Sequence, residues 1–203
     1  MSILTETKQE TLTLSAHTFA DLITGAAIAC ASGKDAPYLF SAVYLRAEGG
    51  ELVAAATDRY RLMEGKTKLD AGNLTLCAVS LADIKRITAL IKPHTAKNNP
   101  MKEPEITLSR VGDVLGLYVG GDSISVTARE ERFTDYSRVL SEEFSPVPSV
   151  ALNMELLGTF AKVPHDNKAP TILGFTGESK AVQIRLAHAA IVWRGAIMPM
   201  RTA

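Results

Sequence analysis

Three times in this 203-residue chain, alternating apolar and polar residues run into a small polar residue and then into apolar residues spaced by three and four. The stretches are "TLTLSAHTFADLITGA", "TLCAVSLADIKRITAL" and "SVALNMELLGTFAKV". Alternation is the period of a strand with one buried face, and the three-and-four spacing is that of an amphipathic helix. Ser15, Ser80 and Asn153 stand where strand gives way to helix, and each side chain can accept from the free N–H groups of the first helical turn. Ser80 with Asp83 has the form of a capping box. Behind the caps the apolar stripes are Phe19, Leu22, Ile23 and Ala26, then Leu81, Ile84, Ile87 and Ile91, then Met154, Leu157 and Phe160.

Each helix is followed by strand-like runs broken at turn residues. The first set is "YLFSAVYLRA", "ELVAAAT" and "YRLMEGKT", turning at Gly49-Gly50. The second is "EITLSR", "VLGLYVGG" and "SISVTA", turning at Val111-Gly112-Asp113 and Gly120-Gly121-Asp122. The third is "TILGFTG", "AVQIRLA" and "AAIVWRGAIM". Short turns imply antiparallel meanders. The expectation is an α+β chain of three βαβββ units beginning near residues 10, 73 and 147, with caps 65 and then 73 residues apart as in a duplicated sequence. One helix on one small sheet leaves a unit half covered, so units want to pair. Units one and two can pair; unit three must lean on them or on another chain.

The bulk numbers fit such a core: 46% of residues are hydrophobic and 22% charged. Cys30 and Cys77 lie in apolar stretches without a C-x-x-C pattern, which reads as buried free thiols in a reducing compartment. No apolar run approaches a membrane span, and "MSILTETKQE" lacks the features of a secretory leader, so a soluble cytoplasmic protein is expected.

Motifs for catalysis are missing. There is no G-x-x-x-x-G-K-[ST] and no G-x-S-x-G, and "YVGGDS" follows a strand without opening a helix. His17, His94, His165 and His188 have no metal-ligand spacing with one another or with the cysteines. Asp58 and Asp135 occur in similar hexamers, "TDRYRL" and "TDYSRV", but each precedes an arginine by three residues and reads as a turn anchor rather than a catalytic carboxylate. No enzyme activity, cofactor or metal is expected.

Lys+Arg and Asp+Glu both number 22, so net charge points to no partner, and only its distribution can. On the second helix Lys85 and Lys92 lie away from the apolar stripe, with Arg86 further round; Lys97 and Lys102 follow, and Lys162 and Lys168 belong to the third unit. Acidic residues collect elsewhere, in "EERF" and "SEEF". Such a face can lie along a phosphate backbone without reading bases, or serve simply as a solvated surface. The first helix offers only Thr18, Asp21 and Thr24 at its polar positions, which weakens the DNA reading.

Three short stretches carry a resemblance. "GELVAAATDRYRLMEG" is similar to the "L-x-x-V-A-T-D-G-H-R-L-A" segment of the bacterial sliding clamp, the β subunit of DNA polymerase III. "ERFTDYSRVL" is similar to that family's "F-P-D-Y-R-R-V-[IL]", and the tail "AIMPMRTA" resembles its "V-M-P-M-R-L". All three stand in the family's order inside the repeated units. Residues 1–142 resemble the complete middle domain of the clamp, and residues 146–203 only the second half of its last domain. The resemblance implies a shortened clamp of the kind a phage or other mobile element encodes, with sheets outside and helices on the inner face of a ring.

The same resemblance implies a function: a processivity factor that encircles double-stranded DNA as a homo-oligomer, with a clamp loader as a further partner, and tethers DNA polymerase and other proteins bearing clamp-binding peptides. Lys85, Arg86, Lys92, Lys97 and Lys162 would face the DNA. A peptide pocket would be lined by Phe40, Thr57, Arg61, Leu62, Arg138, Val139, Met198, Pro199 and Met200. The family's Gly-His is Arg59-Tyr60 here, its Pro is Thr134 and one Arg is Ser137, so the peptides accepted should differ. If the family ring holds six domains of two units, three units per chain call for four chains; a trimer, a dimer or an open arc stays open. The alternative is a clamp mimic that binds such peptides without encircling DNA.

Overall fold

The computed structural model describes residues 9–201 apart from Lys34, Asn98, Pro100, Met101, Arg132, Thr134, Ser137, Ser141, Glu142, Pro146 and Pro148. Two of the family departures, Thr134 and Ser137, therefore lie outside the described residues.

The first unit is β1 (Glu10–Ser15), α1 (Ala16–Ala27), β2 (Ala42–Glu48), β3 (Glu51–Thr57) and β4 (Arg61–Lys68). The second is β5 (Leu74–Ser80), α2 (Leu81–Ile91), β6 (Glu105–Val111), β7 (Val114–Val119) and β8 (Asp122–Arg129). The third has α3 (Met154–Thr159), a 3-10 turn at Phe160–Lys162, then β9 (Ile172–Gly174), β10 (Val182–Leu186) and β11 (Val192–Ile197). The eleven strands among the described residues join one antiparallel sheet in the order β1-β6-β7-β8-β5-β2-β3-β4-β11-β10-β9.

That order shows how units pair. The first two exchange their leading strands: β1 pairs with β6, and β5 pairs with β2. The helices α1 and α2 pack side by side over the result. Ser15 accepts from Thr18 N–H at 3.4 Å, Ser80 from Asp83 N–H at 3.1 Å, and Asn153 from the N–H groups of Glu155 and Leu156 at 2.9 and 3.2 Å. The Asp83 carboxylate accepts from the Ser80 hydroxyl at 2.9 Å, so the cap is a reciprocal pair of another kind than a full capping box.

The third unit differs from its sequence pattern. Residues 149–153 form no strand, although Ala151 C=O accepts from Met200 N–H at 2.8 Å. The helix behind it lasts six residues and buries none of them. By contrast α1 buries Phe19, Leu22 and Ile23, and α2 buries Ile84, Ile87 and Ile91. A strand needs a neighbour to accept and donate its ladder bonds, and among the described residues no exchange partner stands against this stretch.

The core lies on the helix-bearing face and runs unbroken from the first unit into the third. Its bridge is Trp193 of β11, 1% exposed, which packs on α1 and β4 where Gly25 and Gly65 leave room. A Cβ at Gly65 would overlap the indole and stand 2.8 Å from Leu22 Cδ1. Burial lifts the Cys30 thiol to about 12 and the Cys77 thiol to about 11, and both cysteines are free. No helix among the described residues is long and apolar enough to cross a membrane.

Candidate functional site

The joint between the first and third units, where β4 meets β11, opens a cleft on the opposite face of the sheet from the helices. On β4, Met63 and Gly65 point to the helical core, so Leu62 and Glu64 point away from it. β11 pairs with β4 antiparallel, Ile197 opposite Arg61 and Ala196 opposite Leu62, which carries the chain end to the β3–β4 turn. The connection after β8 then crosses this helix-free face. Phe133 stacks on Tyr44 with centroids 4.0 Å apart, Tyr136 lies 5.1 Å beyond Phe133, and Leu140 is buried with Leu62 and Ala196.

Between these pieces is a cleft of about 310 Å³ lined by Phe40, Thr57, Arg59, Tyr60, Arg61, Leu62, Phe133, Asp135, Tyr136, Val139, Ala196 and Met198. Its size and its apolar floor with a few polar groups are those of small-ligand and peptide-anchor sites. A larger trough of about 900 Å³, which includes Ser15, Lys66, Asp70 and His188, holds none of these aromatic side chains and is lined instead by the Trp193 edge.

The rim is held by one turn. Asp58 Oδ1 accepts from the backbone N–H groups of Tyr60 and Arg61 at 2.9 and 2.7 Å. Its Oδ2 accepts from Arg61 Nε and Nη2 at 2.9 and 2.7 Å, and Arg61 Nη1 donates to Thr159 Oγ1 of α3 at 2.7 Å. Arg61 thus fastens the β3–β4 turn to the third unit. Arg59 sits at φ 78°, in the left-handed region that favours glycine, with its guanidinium 4.5 Å above the Phe40 ring centre. Beneath the linker, Tyr136 donates to the buried Glu64 carboxylate at 2.6 Å. Burial and that hydrogen bond to a carboxylate push the Tyr136 phenol well above its ordinary range.

Of the nine residues expected here, Phe40, Thr57, Arg61, Leu62, Val139 and Met198 line the cleft. Arg138, Pro199 and Met200 are not among the residues that line it. Met198 N–H bonds to Tyr60 C=O at 2.8 Å, whereas Met200 N–H bonds to Ala151 C=O, which turns the chain away after Met198. Arg59 and Tyr60, whose departure from the family motif bears on the pocket's edge, line the cleft too, and Phe133, Asp135, Tyr136 and Ala196 line it without having been expected. All but Ala196 lie inside the two quoted hexamers or beside one of them, and Ala196 follows from the alternation of β11 with Met198.

On the helical side Lys85, Arg86, Lys92, Lys97 and Lys162 are all exposed. Arg86 is answered by Asp83 at 2.7 Å. α1 exposes only His17 and carries no basic residue in its last turn. The histidines are spread out: His94 contacts Asp122 at 2.9 Å, and His188 contacts Asp21 at 3.3 Å.

No protein-family model matches the chain, and no curated protein matches it. Solved structures do. The DNA polymerase III β subunit of Thermotoga maritima superposes with a TM-score of 0.77 at 15% identity, covering 96% of this chain and 66% of that one. A putative β subunit from Eubacterium rectale gives 0.76 at 10% identity, covering 98% and 68%. The Pseudomonas aeruginosa sliding clamp bound to griselimycin gives 0.74 at 14% identity, covering 100% and 68%. The chain has the sliding-clamp fold and spans about two thirds of the length of these clamp subunits.

Proposed function

We propose that this chain is a non-enzymatic sliding clamp that encircles double-stranded DNA as an oligomer and tethers DNA polymerase, or other proteins with clamp-binding peptides, through the cleft at the β4–β11 joint. In this reading residues 1–142 serve as one complete clamp domain and residues 146–203 as half of another. The observation that carries it is the division of labour between the two faces of one sheet. An apolar cleft of about 310 Å³ lies on the helix-free face, while Lys85, Lys92, Lys97 and Lys162 are exposed beyond it on the helix-bearing elements and their following segments. Scattered lysines hold phosphates without sequence preference, so a ring can slide, and closure rather than affinity keeps it on the duplex. Met198 and the aromatic side chains of the cleft suit one or two anchor residues of an extended peptide.

The test is a titration of a labelled clamp-binding peptide, read by anisotropy, together with retention of the protein on circular against linear duplex DNA. Met198→Lys should weaken the peptide at least about tenfold, since it puts a charge at the apolar wall, while Met200→Lys should leave it unchanged. Retention on circles but not on linear DNA is expected. Equal peptide binding by both variants would overturn the assignment of the cleft, and loss from circles as fast as from linear DNA would overturn the ring.

A second reading is the clamp mimic, which keeps the cleft and dispenses with DNA. The sparse basic face favours it, since Arg86 is paired to Asp83 and α1 carries only His17 outward.

A further inference from the structure

We infer that the third unit is completed by the third unit of a second copy, through reciprocal exchange of residues 149–153 across the open edge of β9. Such a dimer rests on the strand pairing within the fold and not on the DNA-encircling reading.

Units one and two provide the pattern. The strand before each helix crosses to the other unit and pairs with the first strand after that unit's helix, β1 with β6 and β5 with β2. β5 has a second neighbour as well, the end of β8, through Ala78 opposite Arg129 and Val79 opposite Ala128. Residues 149–153 stand in the place of β5 and have only the second kind of contact: Ala151 C=O accepts from Met200 N–H, three residues after β11 ends. The other edge, which in β5 is taken by β2, has no strand against it among the described residues. β9 stands in the place of β2 and β6, and it is the last strand of the sheet.

The side chains show the same vacancy. Leu173 shares the core face with Ile184, its partner on β10, yet is 41% exposed where Ile184 is 1% exposed. Met154 at the start of α3 is 72% exposed, and Val150, Leu152, Leu156 and Leu157 are only partly covered. A second helix would seal them as α2 and α1 seal each other.

Both halves of the missing ladder are carried by every copy. A β9 edge and a 149–153 edge that have no strand against them among the described residues therefore make a self-complementary surface, the requirement for a two-fold dimer. The pair would hold six units, and two such pairs the twelve expected of a ring.

Sedimentation equilibrium of the full chain over a wide concentration range tests this, with hydrogen exchange on the same samples. A species of twice the 21.8 kDa chain mass is expected, with amides of 150–153 and 172–174 protected in step with dimer formation. Leu173→Lys should raise the dissociation constant about tenfold or more by placing an edge charge in the ladder. Tyr118→Lys, on the exposed face of β7, should not. A chain that stays monomeric throughout, or a dimer that survives Leu173→Lys with 150–153 unprotected, overturns the inference. Either result leaves the peptide titration on the cleft to be judged separately.

Discussion

Arg59 gives the most exacting test of the cleft's construction. It holds φ 78° at the position where the sliding-clamp motif that this stretch resembles has glycine, and its guanidinium lies 4.5 Å above the Phe40 ring. Two opposed contributions meet in this residue. Left-handed backbone costs a residue with a Cβ about 1–2 kcal/mol, and a partly exposed cation–π contact returns about 0.5–1 kcal/mol. Arg59→Ala removes the contact and keeps the strain, so it should destabilise by about 0.5–1 kcal/mol. Arg59→Gly removes both, but glycine also gains about 0.5–1 kcal/mol of unfolded-chain entropy relative to alanine. Comparing the two variants cancels the lost contact and leaves the backbone alone. Arg59→Gly should exceed Arg59→Ala by about 0.5–1 kcal/mol, a separation of roughly 1–4 °C in Tm for a chain of this size. Calorimetry on the two proteins side by side reads it. An alanine variant as stable as the glycine variant, or more so, would show that the turn carries no left-handed strain and would refute the reasoning.

Three further outcomes follow from the packing and the titrating groups. Gly65→Ala drives a Cβ into Trp193 and Leu22, backbone against a rigid ring, and should destabilise by about 1–3 kcal/mol in urea unfolding. Thr159→Val removes the acceptor of Arg61 Nη1 while keeping shape; it should cost about 1–3 kcal/mol, and loss of peptide affinity should accompany it as the turn loosens from α3. Finally, Cys30 and Cys77 hold their protons to about 12 and about 11 when folded but release them near 9 when unfolded, so the unfolded chain binds fewer protons above pH 9. Stability should be full below pH 9 and fall above it, by up to about 1.4 kcal/mol per pH unit for each thiol. Denaturation at a series of alkaline pH values should show a shallower decline in the Cys30→Ala/Cys77→Ala variant.

The first two units were legible because their signals are local and agree with one another. Ser15 and Ser80 cap the helices they precede, the stripes Phe19–Leu22–Ile23 and Ile84–Ile87–Ile91 are buried, and the glycine turns separate paired strands. The third unit was legible only in part. "SVALN" alternates like "TLCAVS", but alternation states which side chains could share a face and not whether a neighbouring strand exists to pair with. The same limit applied at the cleft. Arg61, Leu62 and Met198 come together because they lie on β4 and at the end of β11, whose register follows from alternation, whereas Phe40 and Val139 are brought in by the segments before β2 and after β8. Met200 N–H bonds to Ala151 C=O, and nothing in "MPMR" encodes that partner. Tyr136 and Glu64 were not expected to meet, since residues 72 positions apart reveal their contact only when the linker is laid across the sheet.

The linker contributes more than a tether. Phe133, Asp135, Tyr136 and Val139 supply one wall of the cleft, Met198 and Ala196 of the third unit supply another, and Thr57 to Leu62 of the first unit supply the floor. A molecule seated there touches all three at once, so its binding free energy adds to the docking of the third unit on the first two. Thermodynamic linkage then runs in both directions: occupancy steadies the joint by RT ln(1 + [L]/Kd), and whatever steadies the joint raises affinity by the same factor. The cleft and the joint are one equilibrium.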